Sequence, residues 1–108
     1  SFDTFCPLGP AITTGDEIPD ANGLRIETRL NGKTMQNSNT ADMVFTVFDI
    51  VSDLSRSVTL TTGTVILTGT PEGVGFTRKP PVFLAPGDEI SIHIEGLGIL
   101  TNTVVNEK

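Results

Sequence analysis

Residues 68–75 have the composition in this chain best suited to binding an anion. They follow a short apolar run and carry threonines and closely spaced glycines: Thr68, Gly69, Thr70, Gly73 and Gly75. Threonine hydroxyls and main-chain N–H groups, which glycine leaves accessible, can converge on a carboxylate or a phosphate. A plain glycine-rich turn between two strands would have a similar composition. No Lys-Ser or Lys-Thr follows the glycines, so the segment is not a P-loop, and a carboxylate is the more reasonable ligand.

The other groups with chemical potential are scattered along the sequence. His93 alternates with Ile92 and Ile94, a pattern typical of a strand residue that faces solvent or a neighbouring strand. Gln36 ends a hairpin strand and could either orient a substrate oxygen or serve as a surface polar residue. The sequence has no His-x-x-x-His pair, no carboxylate pair at ligand spacing in a glycine-bounded loop, and no Ser or Cys beside a plausible base. The residues alone therefore identify no catalytic group and no metal ligand.

Size and charge narrow the class of partner. With 108 residues the chain can form one small domain at most. Its net charge of −6 and scattered basic residues predict no nucleic acid and no anionic membrane surface as partner. The sequence has no apolar run near the roughly 18 residues of a membrane span, and its single cysteine excludes an internal disulfide. An anionic substrate would need a local positive charge, which a bound metal can supply.

The elements that must hold the glycine-rich segment begin with a β-hairpin. Residues 24–30 alternate apolar with polar side chains, and Asn31-Gly32 is a strong two-residue hairpin signal that returns the chain through residues 33–36. Residues 37–39 are predicted to form a polar turn. The spacing of apolar residues after Thr46, a good N-cap, predicts one helix over residues 47–57.

The remaining elements are predicted strands. Residues 64–68 should form a strand that leads into the glycine-rich segment, and residues 11–13 a shorter one. Residues 89–94 and 99–105 alternate as strands on either side of a turn at residues 96–98. The sequence thus predicts a mainly β fold with one short helix.

Four motifs in order resemble those of the fumarylacetoacetate hydrolase family, most closely its fumarylacetoacetate hydrolase domain-containing branch. Residues 1–10 are similar to S/T-F-D-T-F-x-P-x-G-P, and Asn31-Gly32 with Gln36 to N-G-x-x-x-Q. Residues 68–75 are similar to T-G-T-P-x-G-V-G, and residues 83–88 to F-L-x-x-G-D. One departure is Thr64 after Gly63, where the family usually has Gly-Asp, and we expect it to affect local stability rather than chemistry.

The resemblance implies that residues 1–108 are the C-terminal portion of a catalytic domain, built as part of a mixed β-roll. Family members hold Mg²⁺ or Mn²⁺ with a Glu-x-Glu pair and an Asp, which would lie upstream of this chain together with the active-site lysine. The resemblance also implies that Thr70, with Gly69 and Thr68, donates hydrogen bonds to a substrate carboxylate, while Ser1 and Phe2 line the pocket. The chain by itself would then be inactive.

Three functions remain open at this point. The resemblance favours a divalent-metal-dependent hydrolase that cleaves C–C bonds in acylpyruvate-like keto acids, where the metal acts as a Lewis acid on an enolate. An oxaloacetate-type tautomerase, isomerase or decarboxylase comes second, because it would pass through the same enolate. A non-catalytic β module used for binding or dimerisation is the alternative from another class. The resemblance further implies a homodimer located in the cytoplasm or the mitochondrion, and leaves the substrate to the lid and loops upstream.

Overall fold

The computed structural model describes residues 3–107 and shows one four-stranded antiparallel sheet. The strands are β1 (Arg25–Leu30), β2 (Lys33–Asn39), β3 (Glu89–Ile94) and β4 (Gly98–Thr103), in the spatial order β2-β1-β3-β4. A single α-helix, α1 (Val47–Ser57), lies between β2 and β3 in the sequence, and short 3₁₀ turns occur at Thr40–Asp42 and Gly75–Thr77. The predicted fold class, mainly β with one short helix, is confirmed.

The predicted hairpin joins β1 to β2 through a tight turn. Asn31 and Gly32 have φ angles of 50° and 79°, and two consecutive positive φ angles give a turn whose twist matches that of the flanking strands. The ladder continues from the pair of Leu30 and Lys33 to the pair of Arg25 and Asn39. The prediction of a turn at residues 37–39 is therefore wrong, because main-chain pairing with β1 keeps these polar residues extended.

Asp88 ties the beginning of β3 to the hairpin turn. Its Oδ1 atom accepts a hydrogen bond from Asn31 Nδ2 at 2.8 Å, and its Oδ2 atom accepts one from the Ala85 N–H at 2.8 Å. The Glu89 N–H in turn donates to Asn31 Oδ1 at 2.9 Å. These bonds, that from Asn31 first, lower the pKa of Asp88. Two of the sequence motifs thus meet in a structural link.

Helix α1 begins and ends where the sequence predicted. The Asp49 N–H donates to Thr46 Oγ1 at 3.2 Å, and the Thr46 N–H donates to Asp49 Oδ2 at 3.0 Å, so the two residues form a capping box. Hydrogen bonds from Thr46 lower the pKa of Asp49. The apolar side of the helix is uncovered, with Phe48 78% exposed. None of the helices within residues 3–107 combines the length and apolarity needed to cross a membrane.

Two predicted strands are absent from the sheet. Residues 64–68 and 11–13 take part in no strand pairing within residues 3–107. A strand is defined by its ladder, and the apolar and β-branched residues of these segments predict extended backbone without supplying a neighbour. Strand β4 also ends at Thr103 rather than at residue 105, although the Val104 N–H still donates to the Asp88 carbonyl at 2.8 Å.

The described part of the chain has almost no interior of its own. Within residues 3–107 no apolar side chain is buried, and Thr28, 8% exposed, is the buried residue. Leu67 and Phe83 remain 75% and 73% exposed. So many exposed apolar side chains are unusual for a folded monomer, and we expect other protein to cover them. The predicted homodimer is one possible cover, and it stays a prediction.

Candidate functional site

The glycine-rich segment is fixed to strand β2 by the side chain of Gln36. Its Nε2 atom donates to Thr70 Oγ1 at 2.9 Å and to the Pro71 carbonyl at 2.7 Å. The Pro71 carbonyl can only accept, so the amide nitrogen must be the atom that faces it. The same nitrogen therefore donates to Thr70, and the hydroxyl oxygen of Thr70 is an acceptor in this contact.

A second link, through Gly73 and Arg78, brings the segment against the backbone of β2. Arg78 Nε donates to the Gly73 carbonyl at 3.1 Å, and Arg78 Nη2 donates to the Met35 carbonyl. A Cβ atom built on Gly73 would lie closer than 3.0 Å to that Met35 oxygen, and Gly73 has a φ of +98°. Glycine is required here both by the close approach of the backbones and by the left-handed conformation.

Thr70 stands between two open clefts. Cleft A, of about 550 Å³, lies between residues 38–45 on one side and residues 68–72 on the other. Cleft B, of about 410 Å³, lies on the other side of Thr70 and Gln36 and is lined mainly by apolar side chains such as Leu30, Phe76 and Phe83. Cleft A also has apolar lining residues but carries more polar groups than cleft B, and a hydroxyl at its edge can bind the polar end of a small molecule.

The structure brings three of the predicted site residues together. Thr68, Gly69 and Thr70 all line cleft A. Gly69 has a φ of +99° with open space where a Cβ would be, so its main chain is accessible from the cleft. The other two, Ser1 and Phe2, lie outside the described residues. That any of these five residues binds substrate stays a prediction.

Sequence reasoning missed the opposite wall of cleft A. Ser38, Asn39 and Asp42 line it, and Asp42 Oδ2 accepts from Ser38 Oγ at 2.9 Å and from the Asn39 N–H at 3.3 Å. The signal was available, because an Asn followed three residues later by an Asp is a capping pattern. It was missed because residues 37–39 were predicted to be a turn.

Cleft A is acidic. Asp42 and Glu72 line it, and none of its described lining residues is Lys, Arg or His. An anionic ligand in this cleft would be repelled by both carboxylates unless a cation stood close by. Among the described lining residues only neutral groups could donate hydrogen bonds to such a ligand, so a balancing positive charge would have to come from elsewhere.

The described residues do not form a divalent-cation site by themselves. Within residues 3–107 no three side chains among His, Cys, Asp and Glu are grouped closely enough to hold a metal ion. Mg²⁺ binds through one or more carboxylates, with water and substrate oxygens completing its octahedron, and carboxylates that are not grouped at ligand spacing hold it weakly. No metal-dependent step can therefore be assigned to residues 3–107.

We expect the isolated 108-residue chain to bind Mg²⁺ weakly or not at all. Titration calorimetry with MgCl₂ should show no saturation at micromolar concentrations, because the acidic residues are dispersed or committed to caps. Asp42→Asn, which removes one of the two carboxylates that line cleft A, should leave the titration unchanged. A stoichiometric micromolar isotherm that Asp42→Asn abolishes would show that the chain holds a metal ligand set after all.

Comparison with known families identifies the class of protein. The family model described as the C-terminal region of fumarylacetoacetate (FAA) hydrolase matches residues 1–105. The match covers nearly the whole chain, and the motifs that suggested the resemblance all lie inside it. The chain belongs to the fumarylacetoacetate hydrolase family.

Individual relatives extend the comparison. The mitochondrial oxaloacetate tautomerase Fahd2a of Rattus norvegicus is 54% identical over 105 residues, which are 97% of this chain and 34% of that protein. The fumarylacetoacetate hydrolase EaFAH of Exiguobacterium antarcticum superposes with a TM-score of 0.95 at 47% identity, over 99% of this chain and 38% of that one.

A ligand-bound structure is also similar. Maleylpyruvate hydrolase from Sphingobium sp. SYK-6, in complex with manganese(II) and pyruvate, has a TM-score of 0.86 at 40% identity, over 97% of this chain and 37% of that one. The chain thus spans about a third of the length of the relatives it matches. The names of these relatives describe enzymes that act on keto acids or their derivatives, and the structure of one of them contains manganese(II).

Proposed function

We propose that these 108 residues are the C-terminal portion of a metal-dependent keto-acid enzyme, and that the complete protein is an oxaloacetate-type tautomerase. The reaction moves a proton between the carbon next to the ketone and the ketone oxygen, so that keto and enol forms interconvert. The function of the whole protein is a proposal because the chain spans only a third of its relatives. The same relative is named as a mitochondrial protein, so the mitochondrion is the proposed compartment of the complete protein.

The observation that carries the proposal is the placement of the Thr70 hydroxyl. Its oxygen accepts from Gln36, and within residues 3–107 no acceptor receives its proton. Thr70 borders cleft A beside Gly69, whose main chain has open space around it. A hydroxyl whose proton is free, next to an accessible glycine backbone, is suited to donate to a carboxylate oxygen of a keto acid.

The acidity of cleft A supports a metal as part of the complete site. A keto diacid carries two negative charges, and Asp42 and Glu72 would oppose its entry. The Mg²⁺ or Mn²⁺ implied by the family would balance that charge, held by residues other than 3–107. In this proposal Thr70 and Gly69 bind and orient the substrate, and the proton is moved by a group outside the described residues.

C–C bond hydrolysis of an acylpyruvate is the second candidate. It is favoured by the likeness to EaFAH and to maleylpyruvate hydrolase, both named hydrolases. The tautomerase is placed first because the relative of that name is more similar in sequence. Binding of a carboxylate by Thr70 serves both reactions, so the two reactions differ in the steps after binding.

Product analysis of the complete protein distinguishes the candidates. With Mg²⁺ present, enol-oxaloacetate should lose its ultraviolet absorbance faster than in buffer, and chromatography should find oxaloacetate intact. An acylpyruvate should yield little pyruvate. Rapid release of pyruvate from the acylpyruvate, with no effect on the enol, would replace the tautomerase with the hydrolase. Inactivity on both substrates, with the protein folded and Mg²⁺ supplied, would favour a non-catalytic module.

A further inference from the structure

We infer that Gln36 is a positioning residue that makes Thr70 a dedicated hydrogen-bond donor toward cleft A. This inference rests on the proposed function, because it specifies how the proposed carboxylate site is kept in its donating state. Gln36 lies in β2, 34 residues from Thr70 in sequence, and reaches it through the side chain alone.

The geometry assigns a direction to each hydrogen bond. The Pro71 carbonyl fixes which atom of the Gln36 amide faces the segment, as its oxygen can accept but not donate. The amide nitrogen therefore also donates to Thr70 Oγ1. A hydroxyl that already accepts from a fixed donor directs its proton to another acceptor, and no described residue provides one. The free proton is left for a ligand.

The support beneath Gln36 keeps this direction fixed. Gln36 is half-buried in strand β2, where Thr28 of β1 is its cross-strand partner. Gly73 packs against it so closely that a Cβ there would lie 3.3 Å from Gln36 Cγ. Because its aliphatic part is confined and its nitrogen has two acceptors, the amide has little freedom to turn over. The site then favours ligands that accept, such as carboxylates, over ligands that donate.

The inference predicts a coupling between two substitutions. Gln36→Met has a similar length and no donor, so the Thr70 hydroxyl becomes free to rotate. In the complete protein with Mg²⁺, oxalate should bind about three- to tenfold more weakly to Gln36→Met and about ten- to a hundredfold more weakly to Thr70→Val. In the double variant, Gln36→Met should add little to the effect of Thr70→Val, because the hydroxyl through which Gln36 acts is gone.

Gln36→Glu supplies a readout that a purely structural role would not change. A carboxylate at this position accepts the Thr70 proton and so reverses the hydrogen bond. Oxalate binding, measured relative to wild type at each pH, should be weakest at high pH. It should recover as the pH falls and Glu becomes a protonated donor. The same titration of the double variant Gln36→Glu with Thr70→Val isolates the effect of the added charge. Oxalate binding by this double variant should depend less on pH.

Calorimetric binding of oxalate, with unfolding temperatures measured in parallel, separates the outcomes. Non-additive losses in Gln36→Met and Thr70→Val support the inference. If Thr70→Val weakens oxalate but Gln36→Met does not, or if the losses add, Gln36 does not act through Thr70. If Thr70→Val leaves oxalate binding intact, the proposed carboxylate site itself is wrong. Should Gln36→Met fail to fold, an unchanged pH dependence in Gln36→Glu would be enough to overturn the inference.

Discussion

Thr70→Val should lower kcat/KM for keto-acid turnover by the complete protein about ten- to a hundredfold, the equivalent of roughly 1.5–3 kcal/mol for a hydrogen bond to a charged group. Valine keeps the shape of threonine and removes its hydroxyl, so the proposed donor to the substrate carboxylate is lost. Gln36 keeps its second acceptor, the Pro71 carbonyl at 2.7 Å, and the segment should stay in place. Steady-state kinetics measures the effect.

Two control variants make the Thr70 result specific. Thr70→Ser retains a hydroxyl and should restore most of the activity. Thr101→Val makes the same exchange at an exposed position of β4 that lines neither cleft, and its kinetics should match those of wild type. Mg²⁺ affinity should hardly change in any of the three. Wild-type kcat/KM in Thr70→Val for every keto acid that the protein turns over would leave residues 68–75 as a structural turn.

Gly73→Ala should destabilise the protein by about 2–5 kcal/mol, combining the cost of a left-handed φ with that of forcing an atom into a packed contact. The new Cβ would meet the Met35 carbonyl closer than 3.0 Å and Arg78 Nη2 at 3.2 Å, at a residue whose φ is +98°. The Met35 backbone and the hydrogen-bonded guanidinium of Arg78 leave the new methyl group little room. Urea unfolding monitored by circular dichroism gives the free energy of unfolding.

A matched glycine separates the two causes. Gly63 has a φ of +87° and nothing within 4 Å of the position that a Cβ would occupy, so Gly63→Ala should show the backbone cost alone, about 1–2 kcal/mol. The excess for Gly73→Ala then measures the close approach of the glycine-rich segment to β2. Equal losses in the two variants would mean that the segment moves away from β2 without cost, and the link through Arg78 would be weaker than its hydrogen bonds indicate.

Local patterns in the sequence were sufficient for the elements whose stabilising contacts are near in sequence. Asn31-Gly32 predicted the hairpin because two positive φ angles suit those residues. Thr46 predicted the start of α1 because the donor that it caps lies three residues away. The family, too, followed from the sequence alone, since its motifs lie in order along the chain and the family model matches residues 1–105.

Away from the hairpin, the local sequence pattern did not show which segments pair as strands. Residues 64–68 have a strand pattern but no partner among the described residues, whereas polar residues 37–39 form the end of β2. Alternation reports which side chains could share a face, and a ladder depends on whether another strand lies alongside. Because residues 37–39 were not predicted to pair with β1, the sequence analysis did not place Ser38, Asn39 and Asp42 at the site.

The sequence by itself determined the family, the hairpin, the helix and the candidate residues Thr68, Gly69 and Thr70. Only the tertiary structure decided that Gln36, 34 residues away, holds Thr70 by a hydrogen bond of 2.9 Å. It also decided that Gly73 is needed for close contact with Met35. The physical reason is that a hydrogen bond between distant segments depends on the position and direction of both partners. Strand pairing places Gln36, whereas Thr70 lies outside the sheet and is placed by contacts between segments that are far apart in sequence.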